Sequence, residues 1–285
     1  MKVEMMRQWF GLAILVWAAA VNAAGEPPLR LALSAVFVGE HADIVTRWQT
    51  YLQSRIQRPV KFVQRRSYKE LNDLLSQGNL DAGWVCGAPY LLNRATQRLL
   101  AVPVWQGRPL YQSYLIVPSR DTSTRHITDL RGRVFAYSDP LSNSGYFVAQ
   151  GELIEAGEVP KDFFSKTMFT YSHENSIRAV ATGLVDGARV DGYVYETLRT
   201  LSPALIEKIR VVKGSREFGF PPIVARHNLP AADFEALQRV LLSMHQDEAG
   251  RTLLAGVGLD RFEAGSPALY EGIGTLLHKV HLGER

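Results

Sequence analysis

The sequence predicts an α/β protein of two lobes, each a mostly parallel sheet flanked by helices, with two crossing strands as a hinge. Short apolar, β-branched runs alternate with helical patterns from about residue 29 onward, and strands separated by helices of that length form parallel βαβ units. The alternation begins again near residue 133, which predicts a second, smaller unit inserted into the first. Two such lobes form a clamshell whose cleft is the expected ligand site. A single continuous α/β domain is the alternative.

The first lobe begins with strands and helices in alternation. Strands are predicted at residues 29–34, 60–63 and 81–85, and helices at residues 43–56 and 68–75. Apolar side chains recur every four residues in the first helix, which is the spacing of one buried face. A Gly-Asn pair follows the second helix and is typical of a helix end.

The second lobe repeats this pattern, and the tail of the chain returns to the first lobe. The predicted strands are 134–137, 167–170 and 188–193, the predicted helices are 145–156 and 174–182, and the tail from residue 229 is mostly helical.

The lobe boundaries follow from two extended segments, residues 111–118 and 218–222, which we expect to link the lobes. Lobe I is then 24–118 with 219–285, and lobe II is 119–218.

Composition excludes several classes of protein. The chain has 285 residues, with Lys+Arg 32 against Asp+Glu 28, a balance too even to indicate nucleic acid as a partner. Its single cysteine, Cys86, rules out an internal disulfide framework and any Cys-rich metal site. No metal site and no cofactor are expected.

The N-terminus predicts a signal peptide at residues 1–23. Residues 9–21 are uncharged and apolar, but thirteen residues are too few for a bilayer core, which takes about 20 in a helix. Val21-Asn22-Ala23 fits a signal peptidase site. We therefore expect a soluble protein exported to a bacterial periplasm and, because no cysteine lies near the cut, no lipid anchor. A short transmembrane anchor is the alternative.

One strand of the second lobe runs into a turn that can bind an anion. Ser142, Asn143 and Ser144 lie in this turn, and the predicted helix begins near Gly145. The first turn of a helix has unpaired N–H groups and the positive end of the helix dipole, which attract an oxyanion. Ordinary helix capping by a serine is the alternative.

Two further strand ends of this lobe carry polar side chains. His173 follows a strand and precedes a helix, where its imidazole can donate to an oxyanion oxygen; a surface or capping histidine is the alternative. Asp191 ends another strand. It can accept a hydrogen bond from a ligand, or it can simply cap a turn.

The first lobe offers candidates at two strand-to-helix corners. Trp84 and Cys86 end a strand and Tyr90 lies just inside the next helix, while Tyr68 stands at another corner. Ligands of open α/β sheets bind beyond the carboxyl ends of strands. Buried packing is the usual role of Trp and Cys, and is the alternative for Trp84 and Cys86.

The order of motifs between residues 138 and 196 resembles the periplasmic phosphonate- and phosphite-binding components of ABC transporters. Those proteins have a Ser-Thr-Ser-Gly turn after a strand, a Ser-His turn before a helix, and a later Val-Asp-x-x-Val-Tyr-Glu motif. The corresponding residues here are Ser142-Asn143-Ser144-Gly145, Ser172-His173 and Val190-Asp191-Gly-Tyr-Val194-Tyr195-Glu196. Asn143 replaces the usual threonine.

The resemblance implies the type II periplasmic-binding fold and a division of roles within the site. It assigns Ser142, Asn143, Ser144 and His173 to the oxyanion, with Tyr68 and the corner from Trp84 through Cys86 to Tyr90 facing them, and Asp191 selecting what the anion carries. The implied function is a non-catalytic, monomeric solute-binding protein that delivers a phosphonate, phosphite or phosphate to an ABC transporter permease.

Two other functions are alternatives to this one. A sensor would bind an oxyanion such as arsenite through Cys86 and signal to a membrane histidine kinase. An enzyme would use Ser144, His173 and Asp191 as a triad, but the chain has no Gly-x-Ser-x-Gly nucleophile elbow, and no catalytic residue is expected.

Overall fold

The computed structural model describes residues 26–33, 42–65 and 67–283 and shows two sheets, each flanked by helices. The predicted signal peptide, residues 1–23, lies outside the described residues. Within the described part of the chain, no helix combines the length and apolarity needed to cross a membrane.

The elements come in the following order over these residues. The strands are β1 Leu29–Leu33, β2 Val60–Gln64, β3 Ala82–Trp84, β4 Gln97–Val104, β5 Leu110–Pro118, β6 Val134–Tyr137, β7 Lys166–Phe169, β8 Gly187–Asp191, β9 Ile209–Gly219, β10 Ile223–Arg226 and β11 Arg261–Glu263. The helices are α1 Ala42–Ile56, α2 Tyr68–Ser76, α3 Gly87–Leu92, α4 Val148–Glu155, α5 Pro160–Phe163, α6 His173–Ala181, α7 Gly192–Leu201, α8 Pro203–Ile206, α9 Ala231–Ser243, α10 Glu248–Gly256 and α11 Glu271–Gly283. A π-helical turn, Asn143–Phe147, leads directly into α4, and short 3₁₀ turns lie at Ile127–Leu130, Met244–Gln246 and Pro267–Tyr270.

Both sheets are mixed rather than mostly parallel. In the described chain the first has the order β11-β4-β10-β3-β1-β2 and the second the order β7-β6-β8-β5-β9. The βαβ units form the parallel pairs, β1 with β2 and β3, and β6 with β7 and β8. In the first sheet β10 runs antiparallel to its neighbours β3 and β4, and β11 runs antiparallel to β4. In the second sheet β5 runs antiparallel to its neighbours β8 and β9.

The crossing strands lie in the second sheet. Residues 110–118, which the sequence analysis assigned to lobe I, form β5 between β8 and β9. The chain changes sheet within residues 105–109 and again within 220–222. Strand β5 therefore pairs with two strands of lobe II, β8 and β9. The hydropathy of a single segment does not reveal such pairing.

Several element ends differ from prediction for local reasons. The strand predicted at 188–193 stops at Asp191, because its carboxylate accepts hydrogen bonds from the N–H groups of Tyr193 and Val194 and so starts helix α7. The helix predicted from residue 145 begins earlier, at Asn143. Strands β4, β9, β10 and β11 were not predicted.

The last helix, α11, packs against helices of both lobes. Gly87 at the start of α3 lies against the ring of Tyr270 and the side chain of Ile273, and Gly151 of α4 lies against Leu276. Ile273 is fully buried. Helix α11 thus supports the two helices that start on opposite sides of the candidate site.

Candidate functional site

Buried polar side chains of both lobes meet beyond the carboxyl ends of β3, β6 and β8. Lobe I contributes Tyr68 and Cys86, and lobe II contributes the residues of the turn after β6 together with His173 and Asp191. Strand β5 adds Tyr111. The polar residues of this set are each at most 1% exposed, so the site is closed to solvent in this structure: Tyr68, Cys86, Tyr111, Ser138, Asp139, Ser142, Asn143, Ser144, His173 and Asp191.

Hydrogen bonds join the lobes directly around the site. The Tyr68 N–H donates to Asp139 Oδ2 (3.1 Å), and the Asn143 N–H donates to Cys86 Sγ (3.3 Å). Within lobe II, Asn143 Nδ2 donates to Tyr111 Oη of β5 (3.0 Å). These contacts describe a closed arrangement in which α2 and the Cys86 corner touch the turn after β6.

In the turn formed by Ser142, Asn143 and Ser144, here called the serine turn, some polar groups already have hydrogen-bond partners within the protein. Ser142 Oγ accepts the Gly145 N–H at 2.9 Å, which is the capping role named above as the alternative. The Asn143 N–H is taken by Cys86. Two of the N–H groups expected to meet an anion are therefore already paired, whereas Ser144 Oγ is buried without a partner.

Gly145 lets the turn close on the end of β6. A Cβ at this position would overlap Ser138 Oγ and press on Ser138 Cβ. We expect Gly145→Ala to lower the free energy of unfolding by about 2 kcal/mol, the cost typical of overpacking, and to weaken ligand binding by displacing Ser138. Urea unfolding measures the first effect. Gly274→Ala is the matched control, because its Cβ would meet only Leu91 at an ordinary 3.8 Å; equal stabilities of the two variants would contradict the prediction.

His173 is held as a neutral hydrogen-bond donor. It is the first residue of α6, and its Nδ1 accepts the Asp191 backbone N–H at 3.1 Å. Because Nδ1 accepts, the ring hydrogen is on Nε2. Burial lowers the pKa of His173 to about 3, so the ring carries no charge at neutral pH, and Nε2 has no partner.

Asp191 both caps a helix and presents a free oxygen. Its Oδ1 accepts the N–H groups of Tyr193 (2.8 Å) and Val194 (3.3 Å), while Oδ2 is buried without a partner. Burial raises the pKa of Asp191 to about 7, against the lowering effect of the two N–H groups. The capping role and the ligand-binding role weighed for this residue are therefore compatible.

Unpaired buried polar atoms are concentrated here. Eleven buried side-chain atoms of the described residues make no hydrogen bond, and two of them, in Arg65 and Glu196, are in ion pairs instead. Six of the remaining nine belong to this site: Tyr68 Oη, Ser138 Oγ, Asn143 Oδ1, Ser144 Oγ, His173 Nε2 and Asp191 Oδ2. Each unpaired buried polar group costs about 1–3 kcal/mol, so such a concentration indicates a place where a polar ligand supplies the missing partners.

Two predicted residues pack against other parts of the protein. Trp84 donates its Nε1–H to the Pro221 carbonyl at 2.9 Å and packs against Phe262, so its indole belongs to the core of lobe I, the packing role given above as its alternative. Tyr90 packs edge-on against Tyr270, with ring centroids 5.0 Å apart.

Sequence reasoning missed three residues of the site. Ser138 and Asp139 stand at the start of the serine turn, and their place directly after a strand was a usable signal. Tyr111 was placed in a linking segment and was not considered as a site residue. Its hydroxyl reaches Asn143 only because β5 lies in the second sheet.

Comparison with known proteins identifies the family. The sequence profile described as "ABC transporter, phosphonate, periplasmic substrate-binding protein" matches residues 38–270. The phosphonates-binding periplasmic protein of Escherichia coli (strain K12) is 26% identical over 199 residues, which are 68% of this chain and 56% of that protein. The match thus spans little more than half the length of that curated relative.

Two solved structures have the same fold. A binding protein component of an ABC phosphonate transporter from Pseudomonas aeruginosa superimposes with a TM-score of 0.83 at 21% identity, covering 90% of this chain and 88% of that one. A Prochlorococcus marinus protein in complex with methylphosphonate has a TM-score of 0.78 at 18% identity, covering 89% and 98%. These likenesses confirm the predicted two-lobed α/β fold. With the profile match over most of its length, the chain belongs to the periplasmic phosphonate substrate-binding proteins of ABC transporters, a family of binding proteins rather than enzymes.

Proposed function

We propose that this protein binds a small phosphorus oxyanion, with a phosphonate group as the preferred form, between its lobes and delivers it to the permease of an ABC transporter. The observation that carries the proposal is the set of six unpaired buried polar atoms contributed by both lobes. The methylphosphonate bound by the Prochlorococcus marinus relative and the name of the Escherichia coli relative support this class of ligand.

The arrangement matches a tetrahedral oxyanion by its donors. Tyr68 Oη–H would approach from lobe I, and Ser138 Oγ–H, Ser144 Oγ–H and His173 Nε2–H from lobe II, each toward an oxygen of the ligand. Hydrogen bonds to a charged group contribute about 1.5–3 kcal/mol each. An oxyanion held from both sides would favour the closed form over the open one, because its partners come from both lobes.

Affinity would come from preorganised dipoles rather than from net charge. Neutral His173 and the hydroxyl groups are fixed by the surrounding packing, so little rotamer entropy is lost when the ligand binds. Two of the predicted residues would act indirectly: Ser142 holds the turn through Gly145, and Cys86 accepts the Asn143 N–H.

Titration calorimetry with methylphosphonate, phosphite, phosphate and sulfate tests the proposal. We expect at least one phosphorus oxyanion to bind tightly and Ser144→Ala to weaken it by about 10- to 100-fold, the loss of one hydrogen bond to a charged group. Ser76→Ala, an exposed serine of α2, is the matched control and should leave affinity unchanged. Absence of binding across all the phosphorus compounds would reject the proposed function.

The proposal also covers the export, the oligomeric state and the lobe boundaries of the protein. We propose that the mature chain starts after Ala23 without a lipid anchor, on the grounds of the uncharged segment 9–21 and the lack of a cysteine near the cut. A monomer suffices, because both walls of the site come from one chain. The two sheets support lobes divided within residues 105–109 and 220–222.

The contacts of Cys86 do not favour the arsenite sensor. A thiol that binds arsenite does so as a thiolate, whereas burial raises the pKa of Cys86 to about 11 and keeps the thiol protonated. Its sulfur already accepts the Asn143 N–H.

A further inference from the structure

The unpaired set contains acceptors as well as donors. Asp191 Oδ2 and Asn143 Oδ1 are buried carboxylate and amide oxygens without a partner, and an ionised carboxylate and an amide oxygen can only accept. A fully deprotonated oxyanion has only acceptor oxygens. Such a ligand placed against an ionised Asp191 would leave two negatively charged oxygens facing each other in a buried site, which is strongly unfavourable.

Among the residues that the structure describes, none of the groups that face Asp191 carries a positive charge to offset this repulsion. The titratable groups that face Asp191 are His173 from α6, Tyr68 from α2, Cys86 before α3, Tyr111 and Tyr114 from β5, and Tyr193 from its own helix. His173 is neutral, and the others are neutral when protonated. Arg189, two residues earlier on β8, is paired with Glu152 and donates to the Ser113 carbonyl at 2.8 Å.

We propose that the bound complex holds one proton between Asp191 Oδ2 and the ligand oxygen that faces it, and that Asp191 thereby selects oxyanions able to carry a hydroxyl group. This inference rests on the proposed function. The donors Tyr68, Ser144 and His173 would bind the remaining oxygens. Phosphonates and phosphite can supply such a proton themselves, whereas sulfonates, being strong acids, can bind in this way only if Asp191 supplies it.

Proton linkage gives the sign of the pH dependence. At high pH the free ligand and the free site have both lost this proton. Binding then takes up one proton from solution. Affinity therefore falls about tenfold for each unit of rising pH. A site without the shared proton would show no such slope.

Calorimetry of methylphosphonate at pH 8.5, in two buffers with different ionisation enthalpies, measures the number of protons taken up. We expect about one proton per ligand for the wild type and close to none for Asp191→Asn, whose amide donates directly to the ligand oxygen. The variant keeps an Oδ1 that can cap α7 as Asp191 does, so it should fold; circular dichroism checks this. Uptake near zero in the wild type, or equal uptake in both proteins, would overturn the inference.

Two further arms separate the possible sources of the proton. His173→Asn should keep uptake near one; loss of uptake in that variant would place the proton on the imidazole and overturn the assignment to Asp191. Methanesulfonate does not titrate, so its wild-type affinity should fall about tenfold from pH 7.5 to 8.5 and that of Asp191→Asn should not. If methylphosphonate binds without these effects, only this inference fails. If no phosphorus oxyanion binds at any pH, the proposed function fails with it.

Discussion

Replacing His173 by asparagine is expected to weaken methylphosphonate binding by about 100-fold. The substitution removes the Nε2–H donor, whose loss from a charged ligand costs up to about 3 kcal/mol. Asparagine Oδ1 lies close to where His173 Nδ1 accepts the Asp191 N–H, so that backbone group keeps an acceptor. Titration calorimetry at pH 7 measures the change, and thermal unfolding confirms that the variant is folded.

His278→Asn provides the matched control for this substitution. His278 is an exposed residue of α11, so the same chemical change there should leave affinity as it is. Unchanged affinity in His173→Asn would mean that the Nε2–H does not meet the ligand, and the donor set inferred for the site would then be wrong.

The second large effect concerns stability in acid, where His173 and Asp191 act in opposite directions. The pKa of His173 is about 3 in the fold against 6.5 for an ordinary histidine, so the unfolded chain binds more protons between these values and stability falls as the pH falls. The pKa of Asp191 is about 7 in the fold against 3.8. Here the folded chain binds more protons, and stability rises as the pH falls.

Between pH 6.5 and pH 4 each residue contributes about 3 kcal/mol, with opposite signs. The two contributions nearly cancel in the wild type. Substituting one of the two residues leaves the contribution of the other uncompensated. Asp191→Asn should lose about 3 kcal/mol more stability than the wild type over this range, and His173→Asn about 3 kcal/mol less. Urea unfolding at pH 6.5 and pH 4 measures both. If both variants keep the wild-type pH dependence, the two groups do not titrate as buried residues.

Much of the site could be predicted because it is built from strand ends. Ser144, His173 and Asp191 each follow a strand and open a helix, and that sequence order alone brings the three to one edge of a sheet. The structure places all three together with buried, unpaired atoms. Local order also suggested capping by Ser142 and Asp191 as the alternative to ligand binding, since a helix start needs an acceptor within three residues.

Contacts between lobes could not be predicted in the same way. The Cys86 sulfur meets the Asn143 N–H across 57 positions of sequence, and Tyr68 meets Asp139 across 71. Trp84 was expected in the cleft because it ends a strand. Its Nε1–H instead donates to the Pro221 carbonyl in the core. Hydropathy periodicity reports which side of an element is apolar, and carries no information about which distant element covers it.

By itself, then, the sequence determined the α/β class, the repeated strand–turn–helix units, the family and the polar side chains at the mouths of α4, α6 and α7. These depend on neighbours a few residues apart, where propensity and capping act. Only the tertiary structure decided that β5 joins the second sheet, that Tyr111 and Cys86 support the serine turn, and that one oxygen of Asp191 is left buried without a partner. The place of β5 and the Tyr111 contact depend on pairing between strands that are distant in sequence. The Cys86 contact and the burial of Asp191 depend on how the two lobes pack together, because burial and the loss of water partners arise only when both walls are in place.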